Sequence, residues 1–301
     1  MRRIALVALV VAGCNQVFDL QTTTPAPPAD AVDAVLDTDS DGVIDLDDNC
    51  RNAANPSQHD EDHDGVGDLC DNCPLVENHG QADVGEAMPD GVGDACDPHP
   101  TDPGDCLLLL DTFVDPAAFA NHWQPFLQLG GAPALDPQPD RVRITPVGNY
   151  PGGFVALDDQ GQPLTGTFGV QLLAAATFPV DQTEVGAVSN GRAGEPLSSG
   201  LLCAIVTGKS VVATLDGAGP GGSMSATAVG SSLLLRLVQP TKLPGSFSCR
   251  ADYGLSVGAT TNTVTTLAPG LVGAVVHTAP EDIEAIAIYE IASPCPTATF
   301  R

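Results

Sequence analysis

Positive charge is scarce in this chain. Eleven Lys and Arg stand against 38 Asp and Glu, for a formal net charge of −27 over 301 residues. Such a surface repels phosphate, which excludes nucleic acid as a partner and excludes attachment to anionic lipid headgroups through the protein surface. Aromatic residues are few as well, at 4% with a single Trp, so ring platforms for stacking on a sugar are in short supply. From Asp37 to Asp105 large apolar residues are nearly missing. Val43, Ile44, Leu46, Val66, Leu69, Leu75, Val76, Val84, Met88 and Val92 are scattered, with neither a helical stripe nor a clean alternation. This stretch cannot build a hydrophobic core of its own, so ions and disulfides must order it. No Gly-x-Ser-x-Gly is present to suggest a serine hydrolase.

The charge imbalance is local. Residues 30–105 hold 22 acids and one base, Arg51, whereas residues 106–301 hold 15 acids and eight bases. A very acidic segment is therefore joined to an ordinary domain. Ahead of both lies Met1-Arg2-Arg3, then an apolar run from Ile4 to Val11, then Val11-Ala12-Gly13-Cys14. Basic, greasy and small residues in that order are an export signal. The run is too short for a membrane span, which needs roughly 20 residues. Its end resembles the bacterial lipobox. The resemblance implies removal of residues 1–13, lipidation of Cys14, and anchoring in the cell envelope through acyl chains alone, since more than one chain suffices for stable attachment. Asn15 after the Cys, rather than Asp, implies the outer membrane by the same resemblance.

Residues 14–36, with Thr22-Thr23-Thr24-Pro25-Ala26-Pro27-Pro28, read as an extended tether. Besides Cys14 there are eight cysteines: Cys50, Cys70, Cys73, Cys96, Cys106, Cys203, Cys249 and Cys295. In an exported chain an even number reads as four disulfides.

Asp37-Thr-Asp39-Ser-Asp41-Gly42-Val43-Ile44-Asp45-Leu-Asp47-Asp48 has the arithmetic of a calcium loop. Counting Asp37 as position 1, acids fall at 1, 3, 5, 9 and 12, with Gly at 6 for the sharp turn and Val43 at 7 to offer a backbone carbonyl. Asp60, Asp62, Asp64, Gly65, Val66, Asp68 and Asp71 repeat the pattern. A third copy keeps Asp90, Gly91, Asp94 and Asp97. Counting back places Glu86 at 1 and Met88 at 3, and thioether is a poor calcium ligand beside carboxylate. Asp83 precedes Asp90 by seven residues where Asp60 precedes Asp64 by four, so a three-residue insertion is the other way to align this copy.

No amphipathic helix flanks these loops, which excludes an ordinary EF-hand. Asp48-Asn49-Cys50, Asn55-Pro56-Ser57-Gln58 and Gly65-x-Gly67-Asp68-x-Cys70-Asp71-Asn72-Cys73-Pro74 flank them instead, followed by Asn78, Gln81 and Gly91-x-Gly93-Asp94-x-Cys96-Asp97. Over residues 37–97 this resembles thrombospondin type 3 repeats. The resemblance implies Asp-rich loops wound around calcium and stapled by Cys50–Cys70 and Cys73–Cys96. It implies ligands Asp37, Asp39, Asp41, Val43, Asp45 and Asp48 in the first loop, and Asp60, Asp62, Asp64, Val66, Asp68 and Asp71 in the second. Asp90, Asp94 and Asp97 follow in the third. Two bare carboxylates about 4 Å apart repel by roughly 4 kcal/mol at an effective dielectric near 20. Five in one loop do not compact until a divalent ion reverses the sign, so binding and ordering are one event. A disordered acidic linker would require neither Gly at position 6 nor cysteines at matching offsets. Cys70-x-x-Cys73 has the spacing of a redox pair or half a zinc site, but no second such pair exists. His59 and His63 fall between ligand positions and are expected to face water.

The remainder, residues 106–301, alternates β-branched and apolar runs with Gly and Pro. Expected strands are Val142–Val147, Gly153–Leu157, Phe168–Thr177, Leu201–Thr207, Ser210–Leu215, Ser232–Val238, Tyr253–Val257, Thr263–Leu267, Leu271–His277 and Glu284–Ile291, with one short helix near Asp115–His122. That spacing predicts a mainly β chain ending in an antiparallel sandwich or jelly roll. Leu108-Leu109-Leu110-Asp111-x-Phe113, Trp123 and the closing Ile286-Ala-Ile-Tyr289-Glu-Ile are similar to concanavalin-like and laminin-G-like domains. In these an early strand pairs near a final strand ending in Tyr. Cys106 and Cys295 bracket the domain, and a bond between them would leave Cys203 with Cys249; four cysteines allow three connectivities. Hydrolase relatives carry Glu-x-Asp-x-x-Glu, and this chain does not. Glu281-Asp282-Ile283-Glu284 has the wrong spacing and reads as a solvated turn. His122 and His277 have no evident nucleophile partner, and Trp123, Tyr150, Tyr253 and Tyr289 read as core. The expectation is a calcium-binding surface lipoprotein, not an enzyme, with a structural or adhesive role. A glycan-binding lectin, and then a glycoside hydrolase, are the alternatives. The partner is an extracellular glycan or protein, and chelation is expected to loosen residues 37–97 while leaving the sandwich folded.

Overall fold

A computed structural model describes residues 36–126, 133–148, 152–166, 168–175, 184–191, 201–206, 210–214, 223–225, 232–238, 246–253, 256–263, 270–277 and 279–291. The expected export signal, the acylation site Cys14, nearly all of the tether, Tyr150 and Cys295 lie outside the described residues. The chain divides into two compact units, Met1–Gln58 and His59–Arg301. The acidic segment 37–105 is thus distributed over both: its first loop lies in the first unit, and the next two share a unit with the strands.

In that second unit the strands form two antiparallel sheets. One contains β1 (Asp105–Asp111), β3 (Ala134–Gln138), β4 (Arg141–Thr145), β7 (Phe168–Ala175), β12 (Ser232–Val238), β13 (Ser246–Tyr253), β14 (Ser256–Thr263) and β16 (Glu281–Ile291). Their spatial order is β14-β13-β12-β7-β16-β4-β3, with β1 also on β16. The other contains β2 (Trp123–Pro125), β5 (Gly152–Ala156), β6 (Thr165–Gly166), β8 (Glu184–Gly191), β9 (Leu201–Val206), β10 (Ser210–Thr214), β11 (Ser223–Ser225) and β15 (Gly270–His277). Its order is β11-β10-β9-β8-β15-β5-β2, with β6 also on β15. The short helix α1 is Phe119–His122. The early strand and the Tyr-bearing last strand do pair, with Leu107 opposite Tyr289.

Alternation along the strands divides the side chains between two faces. Val170 and Leu172 of β7, Leu233 and Leu235 of β12, and Ile286 and Ile288 of β16 point inward. They meet Val185, Ala274 and Val276 of the facing sheet. Phe113, Phe119, Trp123 and Phe154 pack edge-on or tilted at one end, with centroids 4.8 Å apart for Trp123 and Phe154. Trp123 is 1% exposed and its Nε1 donates to Asp111 Oδ2 at 2.6 Å. A Cys203–Cys249 disulfide ties β9 of one sheet to β13 of the other within this core.

The outward face of the first sheet is not left to water. Ala285, Ala287 and Tyr289 of β16 form a second core with Cys73, Leu75, Val92 and Cys96, flanked by Leu107, Leu110, Leu173, Leu234 and Val76. The few apolar residues of the second and third acidic loops therefore have a partner, although they are too few to form a core alone. Gln171 Nε2 on the same face donates to Cys96 O at 3.2 Å, and Arg236 Nη1 donates to Ala95 O at 3.0 Å. The expectation of an acidic segment ordered by ions and disulfides alone is corrected here: residues 59–105 also borrow a sheet.

The expected strands hold in outline, with two corrections and one expectation that falls mostly outside the described residues. Tyr253–Val257 is not one strand, because Tyr253 ends β13 and pairs with Ser256 at the start of β14. Of Thr263–Leu267 only Thr263, the last residue of β14, is described. Glu281–Glu284 is the start of β16 rather than a solvated turn, since Asp282 accepts two 2.7 Å hydrogen bonds from Arg143. β2, β3, β6, β8, β11 and most of β13 and β14 went unexpected, and in two of these the residues favour strands weakly. β3 contains Pro137, which an edge strand tolerates. β8 contains Gly186, where a Cβ would lie 2.8 Å from Ala204 Cβ and 2.9 Å from Cys203 O, so close strand packing explains the glycine.

Two predictions follow from this packing. Leu75→Ala in the shared outer core is expected to cost about 2–5 kcal/mol of stability, as for a buried leucine elsewhere. It should lower the melting transition of the Trp123 near-ultraviolet signal in calcium, and an unchanged melt would contradict the shared core. Glu281 is 3% exposed, and burial, helped by Asp282 and opposed by Arg143, pushes its carboxyl up to about 7. A raised acid costs stability as pH climbs past its ordinary value towards and beyond about 7. Glu281→Gln should therefore raise the melting temperature at about pH 8, on the order of 5 °C, and change it little at about pH 4. Equal melting of the two proteins at about pH 8 would contradict this.

Candidate metal centres

The three acidic loops share one hydrogen-bond skeleton. Gly42, Gly65 and Gly91 have φ of 98°, 90° and 94°, the left-handed region that a side chain strains. Their N–H groups donate to Asp37 Oδ2 at 3.1 Å, Asp60 Oδ2 at 3.0 Å and Asp83 Oδ2 at 2.9 Å. One residue on, Val43, Val66 and Val92 donate to Oδ1 of Asp41, Asp64 and Asp90 at 2.7, 2.8 and 3.0 Å. The other oxygen of each of these three accepts a main-chain N–H fourteen residues later, from Asn55 at 2.9 Å, Asn78 at 2.7 Å and Gly104 at 2.7 Å. Oδ1 of Asp48, Asp71 and Asp97 accepts from the N–H two residues ahead, on Cys50, Cys73 and His99, at 2.8, 2.7 and 2.6 Å. Gln58 and Gln81 amides add to Asp48 and Asp71 at 3.0 and 2.7 Å. The Asn and Gln of the repeats thus hold carboxylates in place.

Backbone donors account for one oxygen of most of these acids and leave the other. Asp39 Oδ2, Asp48 Oδ2, Asp60 Oδ1, Asp62 Oδ2, Asp68 Oδ2, Asp71 Oδ2, Asp83 Oδ1, Glu86 Oε2 and Asp97 Oδ2 are buried without a hydrogen-bond partner. Buried polar atoms are normally paired, so a row of unpaired anionic oxygens is a specific departure. The oxygens converge: one ligand atom each from Asp37, Asp39 and Asp41 lies within 4.8 Å of the others, and the same holds for Asp60, Asp62 and Asp64. At that separation two carboxylates repel by about 3.5 kcal/mol at an effective dielectric near 20. Burial, then the neighbouring acids Asp71, Asp64 and Asp60, pushes the Asp62 carboxyl up to about 7. Burial, with Asp105 beside it, pushes Asp97 up to about 8. Preorganised, unpaired, oxygen-only donors of this kind fit a hard divalent cation such as calcium.

Each expected ligand has a defined place. Asp37, Asp39, Asp41, Asp60, Asp62 and Asp64 converge as expected. Val43 and Val66 follow the left-handed glycines. Asp48 and Asp71 keep an unpaired oxygen. Asp45 differs: Thr38 N and Thr38 Oγ1 each donate to it at 2.7 Å and Arg51 lies 3.6 Å away, so both its oxygens are engaged and its carboxyl is held low, chiefly by the Thr38 hydroxyl. In the third loop the structure selects the insertion alignment. Asp83 takes the place of Asp60, and Asp94 accepts from Val84 and Gly85 N–H at 3.0 and 2.9 Å as Asp68 does from Glu61 at 2.9 Å. Met88 is 67% exposed and takes no part. Asp83 stands at position 1, as the insertion alignment expects, and Glu86, which counting back by fixed offsets placed there, instead lies beside Asp83 and Asp94 as a further acid.

The cysteines and histidines resolve similarly. Cys73 is bonded to Cys96, and Cys50, Cys70 and Cys106 are also in disulfides, so Cys70-x-x-Cys73 is neither a dithiol nor a zinc half-site. Cys106 lies opposite Glu290 in the sheet; its expected partner Cys295 is outside the described residues. His63 is exposed as expected, with Nδ1 3.2 Å from Glu61 O. His59 is not turned to water. It lies 3.6 Å from Glu61, 3.9 Å from Asp68 and 3.6 Å from Asp140 of the β3–β4 turn. His122 Nδ1 is 3.4 Å from Asp111 Oδ2, beside the buried Trp123. Tyr289 is fully buried.

The thrombospondin type 3 repeat family matches residues 35–58 and 58–81. No curated protein sequence matches the chain. Among solved structures, the legume lectin-like domain from Entamoeba histolytica is similar at 11% identity and a TM-score of 0.41, over 59% of this chain and 94% of that one. The carbohydrate binding module CBM66 from Bacillus subtilis is similar at 10% identity and a TM-score of 0.35, over 57% of this chain and 93% of that one. Trypanosoma rangeli sialidase is similar at 14% identity and a TM-score of 0.40, over 67% of this chain and 32% of that one.

Gly65→Ala tests the loop geometry. Placing a Cβ at this φ costs about 1–2 kcal/mol. If the cation and the loop order together, that strain appears as roughly tenfold weaker calcium binding by calorimetric titration. Unaltered affinity would contradict the assignment.

Proposed function

We propose that this chain, whose residues 35–81 are thrombospondin type 3 repeats, binds calcium in order to fix its acidic loops, two of which form the outer layer of a β-sandwich. The observation that carries this reading is the row of buried carboxylate oxygens without donors, from Asp39 to Asp97. A cation supplies the missing charge, and without it those acids must take up protons or move apart. Extracellular modules of this kind bind calcium at about 10⁻⁴ to 10⁻³ M, and the same range is proposed here.

The proposed setting is the bacterial envelope, with acylated Cys14 as the only membrane contact and residues 15–36 as the tether. The proposed role is structural or adhesive rather than enzymatic. Its support is the chemistry of the described residues: the paired acids serve the loops, Trp123 serves the core, and His122 faces Asp111 rather than a nucleophile. The partner is an extracellular protein or glycan. Burial of Trp123 and Tyr289 removes two of the rings that could stack on a sugar, which favours a protein.

Because Cys73, Leu75, Val92 and Cys96 cover Ala285, Ala287 and Tyr289, chelation should do more than loosen a linker. It is expected to raise protease cleavage within residues 37–97 and to increase binding of an apolar dye to the uncovered sheet. Equal cleavage and equal dye binding in calcium and in EDTA would overturn the calcium reading. Radiolabelled fatty acid should be incorporated by the wild type and not by Cys14→Ser in a bacterial host; label in both would remove the anchor.

A further inference from the structure

We infer that His59, Glu61 and Asp68 form a separate site for a borderline divalent metal, with zinc as the representative. Each offers one ligand atom, all within 4.8 Å of one another, in a set distinct from Asp60, Asp62 and Asp64. His59 and Glu61 fall outside the ligand positions of the loop pattern. The site does not rest on the calcium reading above, because its donors include an imidazole. His59 Nδ1 is 3.6 Å from Glu61 Oε2 and 3.9 Å from Asp68 Oδ2. The Asp68 side chain is 10% exposed, and its Oδ2 is buried without a hydrogen-bond partner.

The first loop shows what is different here. Thr38 follows Asp37, and its N–H and hydroxyl donate to Oδ1 and Oδ2 of Asp45. In the second loop Glu61 follows Asp60, and its N–H donates to Asp68 Oδ1 at 2.9 Å in the same way. Its side chain, however, is an acid where Thr38 has a hydroxyl. Asp68 Oδ2 thus loses the donor that Asp45 Oδ2 has and gains an anion beside it. Burial, then Asp68, pushes the Glu61 carboxyl up to about 7, and Glu284 of β16 adds to this, so a further acid stands nearby. One residue ahead of the loop, His59 turns its ring towards the two carboxylates.

Separations of 3.6 and 3.9 Å are too long for hydrogen bonds, and a single ring N–H cannot serve two carboxylates. They approach the edges, roughly 3.4 Å, of a tetrahedron whose metal–ligand distances are about 2.0–2.2 Å. One imidazole with two carboxylates suits zinc, whereas calcium takes oxygens alone. Outer support is present as well. His59 Nε2 faces Asp140 Oδ1 at 3.6 Å, in the turn between β3 and β4. A ligating imidazole directs its other ring N–H to a carboxylate in this way, which fixes its tautomer. An ion held by His59 therefore also fastens the second loop to the β3–β4 turn.

Calorimetric titration of the full chain with zinc, in excess calcium, tests this. The wild type should take up zinc. His59→Gln should abolish that uptake and Asp140→Asn should weaken it about tenfold, both with calcium stoichiometry unchanged. No zinc uptake in excess calcium, or equal zinc affinity in His59→Gln, would overturn the site and leave the calcium reading standing. Zinc bound through His59 by a chain that takes up no calcium would uphold the site and overturn that reading. If His59→Gln does not fold, cobalt on the wild type decides. Intense visible absorption of a four-coordinate ion, displaced by zinc and not by calcium, is expected, and the weak spectrum of six-coordinate cobalt would overturn the site.

Discussion

Carboxylate oxygens held below the surface with no hydrogen-bond donor are the constraint on which the rest of the acidic segment depends. An unpaired buried anion is among the costliest groups a protein can carry, and a second anion 4.8 Å away adds to the cost. The loops nevertheless hold their carboxylates rigidly. Asp41, Asp64 and Asp90 each accept main-chain N–H groups through both oxygens. Fixing anions in this way is costly unless protons or a cation balance them. The elevated Asp62 and Asp97 carboxyls express the same strain as a demand for protons where a cation would otherwise stand.

A second constraint concerns oily residues. Leu75, Val76 and Val92 are too few to organise a domain, and the outward face of the first sheet would be too apolar to leave open. Each solves the other's deficit. Ala285 and Ala287 are small enough for the Cys73–Cys96 disulfide to approach the sheet, and Tyr289 fills the space beside them. Gln171 and Arg236 then bond to main-chain carbonyls of Cys96 and Ala95, so polar groups under the layer are also used. Order in the second and third loops and burial of the sheet face are thereby coupled within one unit.

Much of this was legible beforehand. The Asp and Gly offsets identified the loops because a positive-φ turn admits glycine and few other residues, and Gly42, Gly65 and Gly91 all adopt it. The resemblance to thrombospondin type 3 repeats implied Cys73–Cys96, and Cys203–Cys249 was one of three connectivities left open; both bonds are present. Strands rich in Val, Ile and Leu, such as β12 and β15, announced themselves, whereas β8 with its glycines and β3 with Pro137 did not. Glu281–Glu284 reads as a solvated turn because of its three acids, and only the placement of Arg143 opposite Asp282 shows it to be strand.

By itself the sequence determined the acidic loops, their hard-oxygen donor set and the mainly β character of the remainder. These depend on local spacing and on the alternation of side chains, which one dimension preserves. The tertiary structure alone decided which of two alignments the third loop takes, that Asp45 is engaged by Thr38 and Arg51, and that His59 faces acids. It also decided that the second and third loops share a core with β16. Those outcomes depend on which surfaces meet across tens or hundreds of residues, and contact between distant segments leaves no periodic mark on the chain.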